Sequence, residues 1–195
     1  MSILSFNDLR DKVAAKLVLA KRVVSHGLEE QVEIDFNQIN STSIDILLGQ
    51  YILKESPPFP GNDILDFRAR DKMHTHRIQL DPEEGFILKP GQFILAESAE
   101  IFNLPYHLSC EYKLKSSMAR IGLEHLNAGW CDAGWNGSVL TLELKNLTLY
   151  HSIRIRPGDA IGQMVFFEHT EVPHEKSYAA RGRYNGDTTV STIKE

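Results

Sequence analysis

The sequence predicts a mainly β fold, a distorted antiparallel β-barrel or jelly roll, preceded by one N-terminal helix. Three observations carry this. Short apolar runs recur at residues 43–48, 85–88, 92–96, 139–144, 152–155 and 161–167, separated by Gly, Pro and Asn. That is the spacing of many short strands joined by turns. Two breaks, Leu88-Lys89-Pro90-Gly91-Gln92 and Ile155-Arg156-Pro157-Gly158-Asp159, place Pro-Gly where a type II turn requires it. Helical periodicity is confined to the first part of the chain.

That helix reads as residues 6–24. Phe6, Leu9, Val13 and Leu17 recur at helical spacing, with Asp8, Arg10, Asp11, Lys12 and Lys16 between them, and Gly27 is its expected stop. Residues 55–75 carry Pro57, Pro58, Pro60 and Gly61 and read as a long surface excursion, with His74 and His76 at the surface. Residues 173–195 are polar, with Gly182 and Gly186. They read as a mobile C-terminal tail on a single domain spanning 1–195.

A length of 195 residues with 42% hydrophobic and 24% charged residues suits one domain with a sizeable core. The net charge of −5, from 21 basic and 26 acidic residues, offers no global attraction to nucleic acid or anionic membranes. A polyanionic ligand therefore needs locally placed cations. No apolar run reaches the length of a membrane span, and the opening residues carry no signal-peptide profile. The two cysteines, Cys110 and Cys131, form neither a disulfide framework nor a zinc-finger spacing, so a reducing cytoplasm is the expected setting.

Three segments could carry chemistry. In Val139-Leu140-Thr141-Leu142-Glu143-Leu144-Lys145, alternation puts the three leucines on the core face and Thr141 and Glu143 on the other. Pattern alone favours a solvated face with a Glu–Lys pair. The alternative is a cleft wall in which a partly desolvated carboxylate is a well-held general base. Lys115-Ser116-Ser117-Met118-Ala119-Arg120 offers two cations, two hydroxyls and a short helix-like turn. It is either an ordinary capped turn or a phosphate grip. Residues 127–137 combine small residues with Trp130 and Trp135. They form either a turn with buried indoles or a tight hairpin where backbone meets a flat ligand.

Taken in order, these segments resemble the dCTP deaminase family, which shares its fold with trimeric dUTPases. The resemblance begins at Gln38-Ile39-Asn40-Ser41-Thr42-Ser43-Ile44-Asp45 and continues through the Pro90-Gly91 turn and Leu104-Pro105. It is most specific at Lys115-Ser116-Ser117-Met118-Ala119-Arg120-Ile121-Gly122-Leu123, Ala128-Gly129-Trp130-Cys131-Asp132-Ala133-Gly134-Trp135 and Leu140-Thr141-Leu142-Glu143, and closes at the Pro157-Gly158 hairpin. It implies a dUTPase-type barrel and a homotrimer with active sites shared between subunits. It also implies hydrolytic deamination of dCTP without zinc, consistent with the lack of a Pro-Cys-x-x-Cys segment. Magnesium would travel on the triphosphate, and the protein itself would hold no metal.

By that resemblance Glu143 is the general base, and Arg120 and Ser116 position the attacking water and stabilise charge. Lys115 and Ser117 meet the triphosphate, Asp132 holds the deoxyribose, and Asn127 and Ala128 read the base beside Thr141. Tyr178, Arg183 and Asp187 lie on a tail that closes over the nucleotide. The stretch around Cys131 looks like bifunctional members that carry dCTP on to dUMP. Lys115 stands where the family has arginine, Asn127 where it has threonine, and Asp187 where it has glutamine. One extra residue between Gly137 and Glu143 predicts a β-bulge, without which Glu143 would face the core. Two alternatives stay open: a dUTPase-like nucleotide pyrophosphatase, and a nucleotide-binding homologue without catalysis.

Overall fold

Gly91 and Gly158 adopt φ of +73° and +87°. The Gln92 N–H donates to the Lys89 carbonyl at 3.0 Å and the Asp159 N–H to the Arg156 carbonyl at 3.1 Å. Both Pro-Gly breaks are therefore the turns their chemistry demands, with glycine at the position that needs positive φ.

The computed structural model describes residues 2–14, 19–25, 28–32, 34–61 and 63–194. In chain order its elements are β1 (Ser2–Ile3), α1 (Phe6–Ala14), β2 (Leu19–Ser25), β3 (Leu28–Val32), β4 (Ile44–Glu55) and β5 (Thr75–Gln79). Then come β6 (Phe86–Leu88), β7 (Phe93–Asn103), β8 (Leu108–Leu114), α2 (Ser116–Arg120), β9 (Leu123–Glu124) and β10 (Trp130–Cys131). Last are β11 (Asn136–Asn146), β12 (Ile153–Ile155), β13 (Ala160–Glu168) and α3 (Tyr178–Arg181).

Eleven strands form one curled antiparallel sheet, a half-barrel, along the path β10-β8-β13-β4-β7-β11-β9, with β1, β2, β3 and β5 paired off it. β6 and β12 make a second, two-stranded sheet. The inner face is supplied by strict alternation: Ile44, Ile46 and Leu48 from β4, Leu140, Leu142 and Leu144 from β11, Met164 and Phe166 from β13, all buried. Each such side chain contributes roughly 1.5–3 kcal/mol when removed from water.

The predicted helix over 6–24 is shorter than its periodicity suggests. Ser5 opens it, its N–H and hydroxyl donating to Asp8 Oδ2 at 3.0 and 2.6 Å, and Leu9 and Val13 face the core. Among the described residues the helix covers Phe6–Ala14, and Leu19–Ser25 is strand β2. Val23 and Val24 are β-branched and stiff in a helix. The free edge of β7 offers a ladder, taken up by Leu19, Ala20 and Lys21 opposite Phe102, Ile101 and Glu100. Leu17 and Gly27, the expected last apolar position and stop, lie outside the described residues.

The surface excursion is present between β4 and β5, with Phe59, Ile64 and Phe67 exposed and His74 and His76 at the surface. The tail folds back on the sheet. It forms a short turn at His174–Lys176, then α3, and then seats Val190 against Leu53 and Leu95 in a small second apolar cluster. No helix among the described residues is long and apolar enough to cross a membrane.

Candidate active site

The strand that carries Glu143 is irregular by two local devices. Asn136 pairs with Asn103 while Ser138 pairs with Phe102, so Gly137 is the extra residue on β11. Its φ of +66° suits glycine. This is the bulge the spacing predicted. Further along, Val139 pairs with Ile101 but Thr141 with Glu97, which leaves surplus residues on β7. Ser98 fills that gap: its hydroxyl accepts from the Leu140 N–H at 2.8 Å and donates to the Glu100 carbonyl at 2.8 Å. The leucines therefore stay in the core while Thr141 and Glu143 face a cavity of about 390 Å³. That volume falls in the range of small-molecule sites.

Three walls enclose it. β11 gives Val139, Thr141 and Glu143, and the segment before it gives Ala128, Trp130, Cys131 and Trp135. That segment is no hairpin, since Trp130 and Cys131 pair with Glu111 and Cys110 of β8 and not with β11. The tail gives Tyr178, Tyr184, Asp187 and residues 191–193. Trp135 is buried, stacked on Phe102 at 5.0 Å between ring centroids, and its Nε1 donates to the Tyr184 carbonyl at 3.3 Å. Trp130 is 56% exposed, and its Nε1 donates to Asp132 Oδ1 at 2.9 Å. Of the two indoles, one is therefore core and one is rim.

The tail is bound along β11. The Val139 N–H donates to the Asp187 carbonyl at 2.8 Å, and the Ser138 hydroxyl to the Tyr184 carbonyl at 2.6 Å. The Asp187 carboxylate accepts from Ser191 Oγ at 3.1 Å and pairs with the Lys194 ammonium. Its negative charge is thus met within the tail.

The electrostatics single out Glu143. Burial against these apolar walls pushes its carboxyl up to about 7, only partly opposed by a backbone hydrogen bond. Tyr178 in the same cavity is also raised, chiefly by burial. The Tyr112 hydroxyl, behind the site, is raised by burial and by the Glu143 and Glu100 carboxylates. A carboxyl poised near neutrality in a concave apolar site has the properties of a proton-transfer group.

Of the sequence-expected residues, Glu143, Thr141, Ala128, Tyr178 and Asp187 meet in this cavity. Asp132 sits at its rim through Trp130. Asn127 is exposed beside Ala128 at φ +55°, a conformation asparagine tolerates better than a β-branched residue. Arg183 points to solvent from the tail.

The Ser116–Arg120 segment is the short helix α2, with Ser116, Ser117 and Arg120 exposed and none of them lining the cavity. Lys115 is engaged elsewhere, its Nζ on Asp45 Oδ2 at 2.6 Å. Sequence reasoning missed Tyr184 and residues 191–193, which have no distinctive pattern. Among the described residues no group of three His, Cys, Asp or Glu is gathered as a metal-binding cluster.

The family pattern described as dCTP deaminase-like matches residues 9–169. The chain is 40% identical over 177 residues to a protein of Sulfurihydrogenibium sp. (strain YO3AOP1) named dCTP deaminase, dUMP-forming, covering 89% of this chain and 93% of that one. The chain belongs to the dCTP deaminase-like family. A second member, from Persephonella marina and bearing the same name, is 37% identical over 188 residues, covering 95% of this chain and 96% of that protein.

Among solved structures, the 2'-deoxycytidine 5'-triphosphate deaminase of Agrobacterium tumefaciens superposes with a TM-score of 0.62 at 24% identity. It covers 84% of this chain, which spans about half (47%) of that longer chain, and it establishes the shared fold. The match to the dCTP deaminase-like family spans α2, the Trp130–Trp135 segment and β11. The residues of the tail that close the cavity lie beyond it.

Proposed function

We propose that this protein hydrolyses dCTP to dUTP and ammonia and carries the product onward to dUMP, without zinc. The observation that carries the proposal is Glu143, a carboxyl pushed up to about 7 inside a cavity walled by aromatic, apolar and hydroxyl-bearing side chains and Asp187. The two relatives named dCTP deaminase, dUMP-forming support the substrate and the second step.

In the deamination Glu143 takes a proton from a water molecule as its oxygen bonds to C4 of cytosine. The C4–N3 π pair shifts onto N3, which takes up that proton. The remaining hydroxyl proton passes by way of Glu143 to the exocyclic nitrogen, which leaves as ammonia while the carbonyl forms. A base held near neutrality suits both transfers, being ionised for the first and a competent acid for the second. The triphosphate enters with its Mg²⁺ as part of the substrate. Ala128 and Thr141 face the base, and Tyr178 and the tail cover the nucleotide.

One part of the machinery is absent from the cavity of a single chain. Ser116 and Arg120, the donors expected at the reacting carbon and the phosphates, stand exposed on α2. The exposed apolar residues Ile121, Leu147 and Leu149 lie near that helix in sequence or through the Leu147 N–H to Gly122 carbonyl bond of 2.8 Å. A homotrimer in which α2 of one subunit enters the cavity of the next would complete the site. Oxyanion-type donors supplied in this way stabilise the charge that develops at C4.

Incubation with Mg²⁺ and either dCTP or dUTP, with ammonia and pyrophosphate assayed separately, tests the reading. Ammonia and pyrophosphate from dCTP are expected. Pyrophosphate from dUTP with no ammonia from dCTP would assign a pyrophosphatase instead, and neither product from either nucleotide would assign a binding protein.

A further inference from the structure

A buried carboxylate in the middle of β7 receives the tail. Thr189 Oγ1 donates to Glu97 Oε2 at 2.8 Å, and the Val190 N–H donates to the same oxygen at 2.9 Å. Glu97 is only 2% exposed, and a carboxylate so deep in a sheet is costly unless its oxygens are occupied. The space for it comes from Gly49 on β4. A Cβ there would lie 2.6 Å from Glu97 Cγ and 2.9 Å from the Glu97 and Ser98 carbonyl oxygens. Beside the carboxylate, the Val190 side chain fills the apolar seat between Leu53 and Leu95. A polar socket and an apolar one thus take successive residues of the tail.

What the socket holds matters for the cavity. Asp187 and residues 191–193, on either side of Thr189 and Val190, line it. Ser191 and Lys194 turn back onto the Asp187 carboxylate. The stretch from 187 to 194 is therefore a loop closed on itself and fastened at its middle to β7.

We infer that Glu97 is a positioning residue for substrate binding: it latches the tail at Thr189 and Val190, and so sets the cavity wall formed by Asp187 and residues 191–193. The inference rests on the reading of this cavity as the nucleotide site. Glu97 acts through the tail and leaves Glu143 in place. Its loss therefore weakens binding of the ground state and transition state alike, raising KM while sparing kcat.

The test compares Glu97→Ala, Glu97→Gln and Thr189→Val in the full chain. Steady-state kinetics with Mg²⁺ and dCTP are paired with hydrogen exchange at the Val190 amide. Glu97→Ala is expected to raise KM about tenfold with kcat within about twofold, and to speed exchange at Val190. Glu97→Gln keeps an oxygen that accepts both bonds, so it is expected to recover most of the affinity. Thr189→Val removes one donor and is expected to give a smaller rise, and adding it to Glu97→Ala to change little more, because both cut the same contact.

A Val190 amide as protected in Glu97→Ala as in the parent would overturn the latch, whatever the activity. So would fast exchange with an unchanged KM, or a loss confined to kcat. If Glu97→Ala fails to fold, Thr189→Val decides alone, since it lies on the tail: a raised KM supports the latch, and fast Val190 exchange with normal KM overturns it. Failure of the parent protein to release ammonia from dCTP would instead remove the nucleotide reading, and Val190 exchange would still judge the latch.

Discussion

Thr141 on β11 stands directly opposite Glu97 on β7. The strand that carries the proposed base and the residue that receives the tail therefore share one register. The surplus residues of β7 next to that pair are absorbed by Ser98, whose hydroxyl holds the Leu140 N–H. Placement of Glu143 in the cavity thus depends on sheet irregularities in two strands, and each contact on this path has a measurable consequence.

The pH dependence follows from Glu143. Its carboxyl is pushed up to about 7 by burial, and only the ionised form can take a proton from water. The kcat/KM for dCTP deamination is therefore expected to rise about tenfold per pH unit below about 7 and to level above it. An acidic limb near 4.5, the ordinary glutamate value, would mean that water reaches Glu143 freely.

Stability carries the same signature with the opposite preference. A carboxyl whose folded value is raised from 4.5 to about 7 favours the folded state fully below 4.5. That contribution is lost as pH rises through about 7. At about 1.4 kcal/mol per pH unit the loss is at most roughly 3 kcal/mol. Glu143→Gln cannot ionise, so its Tm is expected to exceed that of the parent at pH 8 and to match it at pH 4. Equal Tm at pH 8 would contradict the desolvation of Glu143.

Much of this was legible in the sequence. The Pro-Gly turns, the leucine face of β11 and the bulge before Glu143 are local matters, fixed by turn chemistry and alternation. A helical reading runs past Ala14 because residues 19–25 satisfy a helical pattern as well as a strand; the β-branched Val23 and Val24 and the open edge of β7 favour the strand. Glu97 stands just after the apolar run at 92–96, yet its two partners on the tail lie more than ninety residues away. No local pattern could supply them.

A shared site is testable by mixing variants. Glu143→Gln and Arg120→Ala, each inactive alone, are expected to regain deamination when co-refolded. In a ring of randomly mixed subunits about one quarter of the sites would pair an intact Glu143 with an intact Arg120 of the neighbour. No recovery would place both residues in the same subunit's site.

Lys115 and Arg120 should separate cleanly. The Lys115 ammonium is spent on Asp45 at 2.6 Å in a partly buried pair, whereas Arg120 is exposed. Lys115→Ala is expected to cost about 1–2 kcal/mol of stability, measured by urea unfolding, with a modest effect on rate. Arg120→Ala is expected to do the reverse. Equal losses of rate would assign both residues to holding phosphate.

The central claim is that Glu143 moves the proton in deamination. It is tested most directly by measuring ammonia release and dCTP binding for Glu143→Gln at pH 7.5. The expected result is a fall in ammonia release of about 10²–10⁴-fold with dCTP affinity within a few-fold of the parent. Ammonia release at near-parental rates from a variant that still binds dCTP would contradict it.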